Sequence, residues 1–190
     1  IITGVATAGI VTATNVFADR YHGDQNNNFY AGPFTGSGAA GITSGATANI
    51  GIGLSLGSSI SSGSCNMMFG SGGTGNKIST GNNNILLGSC VGSALSTGNC
   101  NIAIGRRALQ NVTSGNGNIA IGCRAGTHSG GILHPDDSSF TISIGRKAGH
   151  NALRNGYDNI FLGEAAGDNI LAGYSTTTEP NFGNILIGSS

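Results

Sequence analysis

Tryptophan is absent from this chain of 190 residues, and Lys, Arg, Asp and Glu together supply only 8% of it. No apolar run approaches the ~20 residues needed to span a bilayer, and no signal peptide is visible. Eight cations balance eight carboxylates, so there is no general electrostatic pull toward nucleic acid or an anionic membrane. Low charge with few aromatics is one signature of disorder. What the chain does have argues otherwise: 35 glycines, and apolar residues at fixed intervals that point to repeated packing. The four cysteines, Cys65, Cys90, Cys100 and Cys123, form no CxxC pair and no metal-finger spacing. Free thiols suit folding in a reducing cytoplasm. The sequence opens at Ile1 without Met and is expected to be a processed or partial piece of something longer.

The repeat closes on Gly53, Gly70, Gly88, Gly105, Gly122, Gly145, Gly163 and Gly188, in steps of 17, 18, 17, 17, 23, 18 and 25. Four residues before this Gly stands Asn in seven copies of eight, Thr141 being the exception, which chance does not produce. Three before it stand Ile50, Met67, Ile85, Ile102, Ile119, Ile142, Ile160 and Ile185; one before it, Ile52, Phe69, Leu87, Ile104, Ile121, Ile144, Leu162 and Ile187. Small or apolar residues such as Val91, Ala108 and Ala125 follow three later. A looser copy, Asn28-Phe29-Tyr30-Ala31-Gly32, precedes the series.

Ile-x-Ile before Gly reads as a short strand with both Ile on one face. Such strands cannot stand alone. Coils of about 17 residues stacked at ~4.8 Å would pair each strand above and below. The expectation is an all-β parallel solenoid or β-roll with the Ile columns as its interior, an Asn amide ladder, and Gly where a turn needs positive φ or close backbone approach. The residue between the two Ile (Gly51, Met68, Leu86, Ala103, Ala120, Ser143, Phe161, Leu186) is mostly apolar, so the second face is expected to be covered too. With no amphipathic helix to cover it, a further copy of the chain around a symmetry axis is the simplest cover; a thicker single-chain solenoid is the alternative. Spare residues must fall in turns, because inside a strand they would flip the faces. Residues 1–44 read as a β-rich connector to an upstream region, and residues 45–190 as the repeat solenoid with loops near 127–139 and 168–183.

Asn101-Ile102-Ala103-Ile104-Gly105 and Asn118-Ile119-Ala120-Ile121-Gly122 resemble the Asn-Ser-Val-Ala-Ile-Gly signature of trimeric autotransporter adhesin heads, which are left-handed parallel β-rolls in threefold trimers. The longer unit from Gly98 through Leu109 to Asn116 is similar to repeats of bacteriophage tail fibres, including those of marine cyanobacterial phages, and the opening Gly4 to Thr14 resembles their connecting segments. The coils are a few residues longer than the adhesin-head repeat. The resemblance implies a homotrimer, intertwined or side by side, that serves as a structural and adhesive segment of a virion fibre assembled in the host cytoplasm. Its implied partners are itself, other tail or fibre proteins on the N-terminal side, and a host-surface glycan or protein, without nucleic acid or membrane insertion. It also implies self-cleavage by a C-terminal chaperone after a Ser, here Ser190. The alternatives are the head of a bacterial trimeric autotransporter on the outer surface and, further off, a polysaccharide-degrading tailspike.

Arg106, Arg107, Arg124, Arg146 and Lys147 fall in the two slots after the motif Gly and would stack as an exposed stripe. Such a stripe suits sulfated or phosphorylated sugars; the blander and preferred expectation is a solvated face paired with acids such as Asp158 or Glu164. His128, His134, Asp136 and Asp137 in one loop, and Tyr174 and Glu179 in the other, are the candidate receptor-binding residues, since recognition concentrates in loops on a rigid scaffold. The spacing of the first group matches no familiar metal set. No placed carboxylate pair, Ser-His-Asp arrangement or phosphate-binding Gly loop is recognisable. The chain is therefore not expected to be an enzyme, and no catalytic, cofactor or metal site is assigned.

Overall fold

A computed structural model of the chain describes residues 21–23, 26–32, 45–127, 139–151, 157–168 and 183–189. Its strands are β1 (Tyr21–Gly23), β2 (Phe29–Ala31), β3 (Ile50–Gly53), β4 (Met67–Ser71), β5 (Ile85–Ser89), β6 (Ile102–Ile104), β7 (Ile119–Ile121), β8 (Ile142–Ile144), β9 (Ile160–Leu162) and β10 (Ile185–Ile187). They form one sheet in sequence order. β1 pairs antiparallel with β2, and every later neighbour is parallel. The fold is a parallel β-solenoid, with no helix among the described residues. Its stack reaches upstream of residue 45, because Phe29 pairs with Ile50 and Tyr30 with Gly51.

The strand register reproduces the sequence columns. Ile102 lies opposite Ile119, Ala103 opposite Ala120 and Ile104 opposite Ile121. The 23-residue step keeps the same alignment, with Ile119 opposite Ile142, and so does the 25-residue step, with Ile160 opposite Ile185. Added residues therefore leave the strands untouched, as the two-residue period of a strand requires. In the 18-residue step after Gly70 the extra residue sits in the turn at Gly72 and Gly73, both at positive φ.

The expected faces are reversed. The middle residue points into the coil: Met68, Leu86, Ala103 and Ala120 are fully buried, and Phe161 nearly so. The Ile columns point outward and are half-buried or exposed, Ile52, Met67, Ile121 and Ile144 among the exposed large apolar residues. The Asn column supplies the physical reason. Asn101 is two residues from Ala103 and so shares its face, and that face must be the interior because the Asn amides are spent inside the coil. Asn101 Nδ2 donates to Gly115 O across the coil (2.8 Å) and to Asn84 Oδ1 (3.0 Å), while its own Oδ1 accepts from the backbone N–H and Nδ2 of Asn118 (3.0 and 3.1 Å). Asn49, Asn66 and Asn84 repeat this pattern. Each amide thereby satisfies the backbone of two coils in a space closed to water.

The rest of the interior comes from Leu56, Val91, Ala108 and Ala125 after the turn, and from Ile60, Ile78, Leu95 and Val112 on the far wall. Volume is balanced locally. Where the middle residue is large, a Gly faces it: a Cβ at Gly75 would lie 2.8 Å from Met68 Sδ, and one at Gly167 only 2.3 Å from Phe161. Where the middle residues are Ala103 and Ala120, Leu109 takes the corresponding slot and is itself 3% exposed. The motif Gly is required for a different reason. At φ between 117° and 151°, a Cβ at Gly53 or Gly70 would come 1.8 Å from the carbonyl oxygen of the next motif Gly.

Candidate functional site

Two surfaces and two loops are candidates. The first surface is the outer face of the sheet. From β3 to β10 every coil places two large apolar side chains there, in register, along roughly 34 Å at the usual strand spacing. Soluble proteins seldom leave a continuous apolar strip of this length open to water. Parallel sheets in particular are normally covered on both faces.

The second surface is the turn that follows the motif Gly. Backbone bonds stack it level on level: Arg107 N–H donates to Ser89 O, Arg124 to Arg106 O, Lys147 to Cys123 O and Ala165 to Arg146 O, at 2.8 to 2.9 Å. The structure thus brings Arg107, Arg124 and Lys147 into one column, with Arg106 and Arg146 in the column beside it. All three column residues have a left-handed backbone, with φ of 64°, 60° and 61°, a conformation that side chains other than Gly and Asn pay to adopt.

The stripe is not uniform in its pairing. Arg146 pairs with Glu164, and Lys147 Nζ lies 4.0 Å from the Asp168 carboxylate, whose other oxygen is 3.0 Å from His150 Nδ1. Asp158, the other acid considered, sits at the opposite turn, beside the Asn column, with φ 58°. Among the described residues no carboxylate pairs with Arg106, Arg107 or Arg124. The sequence explains this, because no Asp or Glu stands between Asp24 and Asp136.

The loop candidates His128, His134, Asp136, Asp137, Tyr174 and Glu179 lie outside the described residues, as does Ser190. The points where the loops leave and rejoin are described. Asn151 N–H donates to Thr127 O (2.9 Å), and Phe140 N–H to Asn116 O (2.8 Å), so the first loop departs after Thr127 and returns by Ser139. No group of three potential metal ligands occurs among the described residues, and no described helix is long and apolar enough to cross a membrane.

A second amide ladder escaped the sequence reading. Asn82 N–H and Nδ2 donate to Asn99 Oδ1 (2.9 and 3.0 Å), and Asn99 does the same to Asn116 (2.8 and 3.0 Å). Here the earlier coil donates to the later one, opposite to the first ladder, so the two rows of amide dipoles oppose each other. The Asn recurring two residues before the main column at 82, 99 and 116 was the available signal.

These features define a repeat protein whose coils are held by amide ladders inside and present an apolar sheet outside. No protein-family model, curated protein or solved structure matches the chain.

Proposed function

We propose that this chain is a structural and adhesive segment of a virion fibre, most closely a phage tail fibre, and that it works as a parallel homotrimer. The observation that carries the reading is the outward Ile strip. Because each coil repeats the same two apolar positions, the surface best matched along the whole strip is a second copy of the strip itself, in register. Three strips facing a common axis would bury one another and close the assembly. Such a rod is stiff and long for its mass. It holds the two loops away from the particle for contact with a host-surface glycan or protein, while the N-terminal side joins other fibre proteins.

The cysteines favour the virion over the surface of a bacterial cell. Cys65 and Cys100 are exposed free thiols, and Cys90 and Cys123 are partly exposed and also unpaired, which suits assembly in a reducing cytoplasm better than passage through an oxidising compartment. Repetition of one coil in a single strand register from β3 to β10 also supports a scaffold in place of a reaction site.

Immunogold electron microscopy with antibody to this chain tests the reading. Gold along fibres projecting from virions is the expected result. Gold on the outer surface of bacterial cells in the absence of particles would instead establish the autotransporter alternative.

A further inference from the structure

We infer that Arg106, Arg107 and Arg124 form a binding strip for an anionic polysaccharide, one that carries sulfate or phosphate groups and lies along the solenoid axis. This rests on the surface-attachment reading and gives it a ligand class and a place on the molecule.

Three observations converge. The first is the missing counter-charge. Residues 45–127 carry Lys77, Arg106, Arg107 and Arg124 and no carboxylate at all. In a parallel, in-register assembly every neighbouring copy sets the same acid-free levels of residues 45–127 beside these guanidiniums. The second is repetition. Ser55, Cys90 and Ala165 hold the same left-handed backbone at the position of Arg107 and Arg124, with φ of 56°, 57° and 54°, so the turn itself does not call for a long side chain there. Arg nevertheless fills the position in two successive coils. The third is spacing. Arg124 N–H bonds Arg106 O at 2.9 Å, which sets the two levels about 4.8 Å apart, comparable to one sugar residue along an extended chain. Planar guanidiniums grip sulfate and phosphate oxygens through paired N–H donors. Ser89, on the level before Arg106, adds a hydroxyl. Beyond Arg124 the stripe continues as Arg146 and Lys147, whose charges are partly met by Glu164 and Asp168.

The test measures binding of the purified protein to dextran sulfate, to phosphorylated dextran and to neutral dextran, by calorimetry over a range of salt. The expected result is binding to one or both charged polymers, weakening as salt rises, and none to neutral dextran. Which charged polymer binds identifies the anionic group. The variant Arg106→Ser, Arg107→Asn, Arg124→Asn should bind roughly tenfold more weakly or worse, while Lys77→Ser, in a different turn, should bind like the parent. Asn relaxes the left-handed positions, so the triple variant is expected to fold, and light scattering on each sample checks that its oligomeric mass is unchanged. Equal binding to neutral dextran, equal binding by the triple variant, or no binding to either charged polymer overturns the inference. Any of these results from an intact trimer would leave the fibre reading standing, whereas a monomeric parent would overturn that reading instead.

Discussion

The coils from Ile50 to Thr127 and those from Ser139 onward share one strand register and differ in almost everything around it. In the first stretch the main amide ladder runs unbroken from Asn28 through Asn118. In the second, Thr141 interrupts it: its N–H still donates to Asn118 Oδ1 (3.0 Å), but it has no amide to hand the chain of bonds onward. The ladder resumes between Asn159 and Asn184. The first stretch has no acids, whereas the second holds ion pairs at the same turn. The steps in the first are 17 or 18 residues, and in the second they include 23 and 25. The sheet therefore tolerates a missing rung and long excursions, provided the strand and its motif Gly are kept. Uniformity is kept in the Asn column, the outward apolar columns and the motif Gly, and variation collects at the turns and at the inward middle residue.

The sharpest way to break the comparison is the motif Gly itself. In Gly70→Ala the new methyl group would lie 1.8 Å from Gly88 O, so the backbone of two coils must move, and a loss of about 3 kcal/mol or more is expected. The same change at Gly188 meets nothing within 4 Å among the described residues and should cost only the conformational penalty of its positive φ, about 1–3 kcal/mol. Denaturant melts of the two variants measure the gap, and equal losses would show that close approach is not why Gly recurs. Next in size is Asn84→Ala. It removes donors to Asn66 Oδ1 (2.9 Å) and Gly98 O (2.8 Å) and the acceptor for two Asn101 N–H groups, all buried, at a cost of about 2–4 kcal/mol. Proteolysis should then cut first near that coil. The smallest effect runs the other way. Thr141→Asn restores the missing rung and should raise stability by about 1 kcal/mol, seen as a small rise in melting midpoint. A fall would mean that the second stretch is tuned to Thr.

The sequence made the columns, the parallel stack and the placement of the added residues legible, because identical side chains at a fixed step can be read directly. It did not make the direction of the faces legible at first sight, since both faces of Ile-Ala-Ile are apolar and periodicity alone cannot say which is inside. The deciding clue was nevertheless present. Asn101 and Ile102 are neighbours and must face opposite ways, so a ladder of Asn inside the coil forces Ile102 outward. The cationic stripe was legible as a spacing, and part of its expected neutralisation is met by Glu164 at Arg146. That Arg106, Arg107 and Arg124 lack such partners among the described residues follows from where the acids stand, which a net charge of zero conceals. The loops' role in recognition could not be read further in physical terms, because residues such as His134 and Tyr174 obey no column.

Ala103 and Ala120 belong to the coil core, so replacing them with Asp would test folding and not assembly. The outward strip is tested by Ile102→Asp with Ile119→Asp, half-buried positions in the middle of the stack whose replacement leaves the coil interior intact. The decisive measurement is the molar mass of the folded protein by multi-angle light scattering, for the parent and for this double variant. The account predicts a parent of three chain masses, each 18.8 kDa, and a variant of one chain mass that keeps its β circular dichroism. A parent that is a well-behaved single chain at micromolar concentration, with the Ile strip open to water, would contradict it.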